Sequence, residues 1–566
     1  MKNLIYLCKR NKMSHSMIMN PKLLLFLPCF LLSVSLSAKV KPRHGRPKTV
    51  VPVEEISTSN ASDGIRRKIG SRFNAPLKPE GSPKIPVILV QFPNKRFISG
   101  LGTHINGSGE TVNNECTTTE DAKKVVAFYD KFCNGEGGAS SYYKGAGSYG
   151  AIREYFRDQS VGRFTPEFVV LGPVTLDNNY QYYGANNSSG DDKNKSAFYY
   201  DAITKIIAEQ IVWSDFDNDN NGTVDMAFFI YAGPGENGDD DEDTLWPQEQ
   251  QSGGSQGGVS FGCYACCNET YNGSTDGIGA FVHEMSHAMG LPDFYDVDYE
   301  ENGLGYGMDY WDIMDSGNYC DDSYRPCNYT TYERDFMGWT PLITLTPGSS
   351  QTITLYPTSN DGQGYKIVNP ENENEYYVIE NRQNIGWDKY IGNGYQSYLF
   401  HGLMVTHVDY KKSLWTSNTV NKSPSHQRMT IIPADGTLDS YTLVDTSAEF
   451  EKYILSAMGD LYPGIKQVTE LTGEQAYVFT DTGDYPHQMN QPLTNITEHE
   501  DGTITLTFCG DATAISSLFA NTEENVPVYN ALGVLVGHTT MEYGKPQNLP
   551  SSPGLYIIKG VKYIVK

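Results

Sequence analysis

Basic charge is scarce in this sequence: 43 Lys and Arg stand against 68 Asp and Glu over 566 residues, a formal net charge of −25. A surface that grips phosphates needs a basic field, so nucleic acid is excluded as a partner. Long apolar runs are missing beyond the N-terminal segment, so no transmembrane segment is expected there. Internal repeats and long low-complexity tracts are missing too. Cysteine is absent from residues 39–115, which excludes a thiolate latency switch from that stretch. A second CxxC is lacking beside Cys263, Cys266 and Cys267, so a four-thiolate metal site is not expected there.

What is present points outward. Lys2, Lys9, Arg10, Lys12 and Lys22 precede an apolar run from Leu23 to Leu36, and Ser35, Ser37 and Ala38 follow as small residues. Basic, then apolar, then small is the layout of a signal peptide, here spanning 1–38. An acidic chain rich in Tyr, Asn, Gly and Asp suits the extracellular space, and its clustered carboxylates invite calcium. Eight cysteines follow the signal segment. In an exported chain that even count predicts disulfides, with Cys320–Cys327 and Cys116–Cys133 as the local pairs. The length allows two to four domains, and 39% hydrophobic residues suffice for their cores.

Residues 39–83 are basic, Pro-rich and weakly patterned, as expected of a linker or short propeptide. Pro86 to Phe92 and Val224 to Ala232 are apolar throughout and predict buried strands. Helices are predicted over Glu120 to Phe132, Gly147 to Arg157 and Ala197 to Ile211, and an extended stretch over Phe164 to Leu176. That alternation implies an α+β region with a mixed sheet. From about residue 341 the sequence alternates at strand period, as in SQTITLYP, EYYVIENR and TITLTF, which predicts a β-rich domain over 341–510. Residues 511–566 predict a further small β domain. His407 and Asp409 share one strand face, but two ligands make no site, and a structural role is expected for them.

The densest chemistry lies in IGAFVHEMSHAMGLPDFYD, residues 278–296. Ile278, Phe281, Met285, Ala288 and Met289 give a helix with an apolar side. His283 and His287 are four apart, so their Cβ atoms stack about 5–6 Å from one another on one face. Two imidazoles so placed can meet one ion at about 2.0–2.1 Å each. Gly290 ends the helix by adopting a left-handed conformation at little cost. The reversal brings Asp293 to the ion as third ligand, with Asp296 and Asp298 as weaker candidates. Residues 302–332 contain no Glu, so a downstream Glu ligand is not expected. The fourth position holds water that zinc acidifies, and Glu284 stands where HExxH proteases keep their general base.

Downstream, residues 310–317 read YWDIMDSG. The extended HExxHxxGxxD motif followed by this W-x-I-M-x-S-G turn resembles the immune-inhibitor-A family of metzincin-like bacterial zinc metallopeptidases. Residues 153–174, 332–339 and 496–508 resemble the same family, so the likeness spans roughly 85–510. It implies a catalytic domain over 84–340, cleavage of protein or peptide substrates, and Met314 as an apolar floor beneath the zinc ligands. One departure stands out: where several metzincins carry a Tyr two residues after the Met, this chain has Ser316, and the nearest Tyr is Tyr319.

Residues 217–225 read DNDNNGTVD. Asp217, Asp219, Asn221 and Asp225, with Gly222 at the turn, match the first nine positions of an EF-hand loop. Phe228 stands at the twelfth position, so the shell of a structural calcium needs completion elsewhere, from the acidic run Asp239 to Asp243. The tail VPVYNALG through GLYIIKGVKYIVK resembles the sorting domain of type IX secretion substrates, which implies secretion machinery as a partner and release or retention at the bacterial surface. The expectation is therefore a secreted zinc endopeptidase. Its rivals are a surface adhesin on an inactive protease fold and a β-rich module that binds host glycoproteins. A degraded site usually loses a ligand or the Glu, and here none is lost.

Overall fold

Five strands pair into the sheet that carries the site. The computed structural model describes residues 75–135 and 149–509, apart from 189, 240, 272, 299–302, 393–399, 441–446 and 480–486. Of the tail it describes 526–530, 535–539, 541–542, 545–546, 549–550, 552–558 and 561–565. The expected signal peptide and most of the expected linker lie outside the described residues.

The strands are β1 (Lys84–Gln91), β2 (Glu167–Thr175), β3 (Val224–Pro234), β4 (Gln248–Gln250) and β5 (Val259–Tyr271). They lie in the order β2-β1-β3-β5-β4, and two short strands pair with β5 off this path. All are parallel except β4, which runs antiparallel at the edge with Glu249 opposite Ala265. β1 and β3 are buried along nearly their whole length, which explains their unbroken apolar sequences.

Helices cover both faces. The first, α1 (Thr119–Asn134), starts with a capping box between Thr118 and Asp121. It is followed by α2 (Ile152–Gln159) and α3 (Lys195–Ile207). On α3, Phe198 and Tyr199 pack edge-on against Phe229. On the opposite face lies α4 (Gly279–Ala288), whose Phe281 stacks on Phe228 at 3.6 Å between ring centroids. Neighbours on one strand, Phe228 and Phe229 thus anchor different helices, as strand alternation requires.

Several boundaries differ from expectation. The helix expected from Gly147 begins at Ile152, because Ala151 is extended and Tyr149 donates its N–H to Tyr324. α3 stops at Ile207, and the chain turns so that Trp213 and Phe216 enter the core. β5, which contains the CYACC stretch, was not foreseen as a strand. The segment expected as linker is packed from Leu77 onward, where the Leu77 N–H meets the carbonyl of Ala288. The eight described cysteines are free and buried, so the expected Cys116–Cys133 and Cys320–Cys327 bonds are absent. Burial raises the Cys133 and Cys327 thiols well above their ordinary range, which makes them poor nucleophiles.

Beyond residue 340 the strands expected from period-two alternation form two sheets. One pairs β6 (Tyr365–Asn369), β7 (Asn372–Arg382), β8 (Gly402–Asp409) and β9 (Met429–Ile431), with Ile343–Thr344 parallel to β6. The other pairs Gln351–Leu355, Ile504–Phe508 and Leu493–Glu498. Ile379, Val405, Leu506 and their neighbours give the two a common core. His407 and Asp409 join separate pairs, with Glu375 and with Arg428 and His426. In the tail, strands at 526–530, 535–539, 554–558 and 561–565 make a four-stranded sheet.

Arg382 ties β7 to the polypeptide beneath the site. It is fully buried, grips Asp388 with two nitrogens at 2.7 and 2.9 Å, and meets Glu380 at 2.8 Å. It also donates to the carbonyls of Trp311 and Asn328. Removing one partner of such a buried pair leaves uncompensated charge. Arg382→Ala is therefore expected to cost about 3–5 kcal/mol in urea unfolding. An unchanged unfolding midpoint and slope would contradict this role.

Candidate functional site

The site is assembled where α4 meets the turn at 311–319. α4 opens on Gly279, where a Cβ would lie 1.9 Å from the carbonyl oxygen of Asn318, so a larger residue does not fit. It ends in a Schellman turn: Gly290 donates to His287 at 2.9 Å and Leu291 to Ser286 at 3.2 Å. Gly290 sits at φ +102°, as the sequence led one to expect. The chain then doubles back and delivers Asp293.

His283, His287 and Asp293 come together as predicted, with their ligand atoms all within 4.8 Å of one another. Each Nε2 lies 3.2 Å from the same Asp293 Oδ1. The rings stand nearly perpendicular, 4.9 Å apart. Each Nδ1 faces a backbone carbonyl at 2.8 Å, Ile313 for His283 and Leu291 for His287. A carbonyl only accepts, so both Nδ1 atoms carry hydrogen, and a neutral ring turns its Nε2 lone pair toward Asp293. His283 and Asp293 are shut in, whereas the His287 side chain is 11% exposed. The cluster opens on that side.

Electrostatics favour positive charge at this cluster. Burial works to lower the His287 pKa, but the Asp293 carboxylate overrides it and holds the ring up at about 10. A cation between the three groups would take that proton's place. Donor types, convergence and this demand for charge fit a transition metal. Glu284 is buried beside them. Burial raises its carboxyl, the two histidines oppose the shift, and the backbone N–H of Glu249 on β4 also favours the ionised form.

The weaker third-ligand candidates stay outside the cluster. Asp296 accepts from the Gly305 N–H and Asp298 pairs with Lys422. Met314 is fully buried and its carbonyl accepts from Phe294. Tyr319 is buried too, its hydroxyl meeting Asn237 at 3.5 Å.

Two residues escaped the sequence reading. Asn418 brackets Asp293, donating from Nδ2 to Oδ2 and accepting its N–H at Oδ1, both at 2.6 Å. It follows a short helix, Lys412–Thr416, whose Trp415 packs on Phe294. They lie 125 positions apart, so no local pattern links the two. The second is Glu249, whose side chain is raised to about 8 by burial, against the pull of His287.

In the loop at 217–225, Asp217, Asp219 and Asp225 gather within 4.8 Å. Gly222 takes φ +88°, and Asp217 accepts the N–H groups of Asn221 and Gly222. The Asn221 side chain caps the Thr223 N–H. Among the described residues no carboxylate of the 239–243 run joins them.

Comparison with known proteins covers this region. The profile of the immune inhibitor A peptidase M6 catalytic domain matches residues 78–340. Immune inhibitor A of Bacillus thuringiensis subsp. alesti is 22% identical over 349 residues, which cover 54% of this chain and 48% of that protein. Pre-pro-metalloprotease PrtV of Vibrio cholerae serotype O1 is 23% identical over 216 residues, covering 33% and 23%. The chain thus spans about half the length of the first relative and less of the second. The segment at 496–508 lies beyond the matched domain. The match begins at the segment packed under α4 and ends beside Trp339, whose indole donates to Pro79. Over residues 78–340 the chain is thus similar to the catalytic domain of the immune inhibitor A peptidases.

Proposed function

We propose that the chain is an exported zinc endopeptidase acting on extracellular proteins. The observation that carries this reading is the convergence of His283, His287 and Asp293 beside a buried Glu284. His283, His287 and Asp293 would hold the zinc, which would supply a Lewis acid able to acidify water and polarise the scissile carbonyl. The protein's own groups do the rest. The Ile313 and Leu291 carbonyls fix both rings, and Asn418 fixes Asp293. Glu284 takes the proton of the attacking water and passes it to the leaving amine. Its raised pKa suits a group that must accept and release protons in turn. β4 lies at the edge of the sheet, and an extended peptide would lie along it. Met314 floors the site. Retention of every ligand together with the Glu weighs against an inactive adhesin.

Export rests on the N-terminal pattern, and the tail would serve as a sorting domain for type IX secretion. No helix among the described residues is long and apolar enough to cross a membrane. Residues 84–340, 341–510 and 511–566 are proposed as catalytic, β-rich and sorting domains. Asp217, Asp219, Asn221 and Asp225 hold a structural calcium in this reading.

Three outcomes test it. Glu284→Ala should keep stoichiometric zinc yet lower kcat/KM on a protein substrate by roughly 10²–10⁴-fold; cleavage at the wild-type rate would remove Glu284 as the base. Asn418→Ala should weaken zinc affinity about 10–100-fold in a chelator competition, and an unaltered affinity would show that Asp293 needs no such support. Calcium added to chelator-treated protein should raise Tm, and Asp217→Ala should abolish that rise. A Tm indifferent to calcium would leave the loop an ordinary acidic turn.

A further inference from the structure

The Glu249 side chain beside the site keeps an oxygen without a hydrogen-bond partner among the described residues. Alternation along β4 sends Glu249 toward the α4 face, while Gln248 turns the other way to Asp192 and Lys195. The backbone N–H of Glu249 already serves Glu284. Glu249 is half-buried, and its inward-turned Oε1 meets no hydrogen-bond partner among the described residues. A carboxylate oxygen stripped of water without compensation is costly, and rare unless something else occupies the place. The charges that face it are those of His287, Glu284 and Asp293, with Lys195 more distant.

We propose that Glu249 is a specificity-determining residue that receives a lysine or arginine side chain of the substrate beside the scissile bond. The proposal rests on the endopeptidase reading above and names the substrate class of that same site. Geometry supports it. An extended peptide lying along β4 presents alternate side chains to the α4 face, where Glu249 lies. An ammonium or guanidinium entering from the exposed side of Glu249 donates a charge-assisted hydrogen bond to its carboxylate. A neutral or acidic side chain leaves that carboxylate unpaired, and sites with buried polar groups reject ligands that do not pair them. The net charge of −25 draws basic polypeptides toward the protein in the same sense.

The test uses the full zinc-loaded chain and a peptide series that varies one residue at each position flanking the cleaved bond. Lys and Arg at one subsite should exceed norleucine by roughly tenfold in kcat/KM. In Glu249→Gln that ratio should collapse toward one, and Glu249→Asp should restore part of it. A second arm measures fluorescence anisotropy of an Arg-containing peptide and its norleucine analogue with metal-free protein. Wild type should prefer the Arg peptide, and Glu249→Gln should not. Cleavage without any basic preference overturns the proposal, as does a preference that survives in Glu249→Gln. Should Glu249→Gln not fold, the wild-type ratio and its change in Glu249→Asp still decide the matter. Failure to cleave any peptide would instead strike the endopeptidase reading, and the anisotropy arm would still judge Glu249.

Discussion

A single carboxylate oxygen organises this site. Asp293 Oδ1 lies 3.2 Å from both imidazole Nε2 atoms, and little in the neighbourhood makes sense without that meeting point. The helix supplies the two rings, and the glycine turn supplies the reversal that brings the acid back. Asn418 then holds the other oxygen of the same carboxylate. The Asp293 carboxylate favours positive charge at this point and, against burial, holds His287 basic. A site that recruits positive charge this strongly is preorganised for a metal ion.

The halves of the chain on either side of residue 340 depend on each other. Asn418 reaches the site from beyond the matched catalytic domain, and Asn421 donates to the carbonyl of Phe294. Arg382 enters from β7 and ties down the chain around Trp311, close to the Ile313 carbonyl that orients His283. The β-rich region is therefore part of the frame that fixes the ligands. Buried charge there is stabilised by dense pairing, as with Arg382 between Asp388 and Glu380.

The sequence disclosed whatever is local. His283 and His287 share a helical face because of backbone geometry, and Gly290 ends that helix because of its own conformational freedom. The strands β1 and β3 were legible because burial on both faces leaves an unbroken apolar run. Long-range features were not legible. Asn418 is an ordinary polar residue until folding sets it against Asp293. Glu249 lies on a three-residue strand too short to show a period. The cysteines drew attention as chemistry, yet Cys263, Cys266 and Cys267 turn out to be buried residues of β5. Even their number suggested disulfides, which spacing cannot establish without the fold.

The most direct test of this account is X-ray absorption at the zinc edge on the purified chain. The account predicts one zinc per chain, with two imidazole nitrogens at about 2.0–2.1 Å, further oxygen ligands and no sulfur. A first shell containing sulfur, or lacking histidine, would contradict it, because the metal would then lie away from His283, His287 and Asp293.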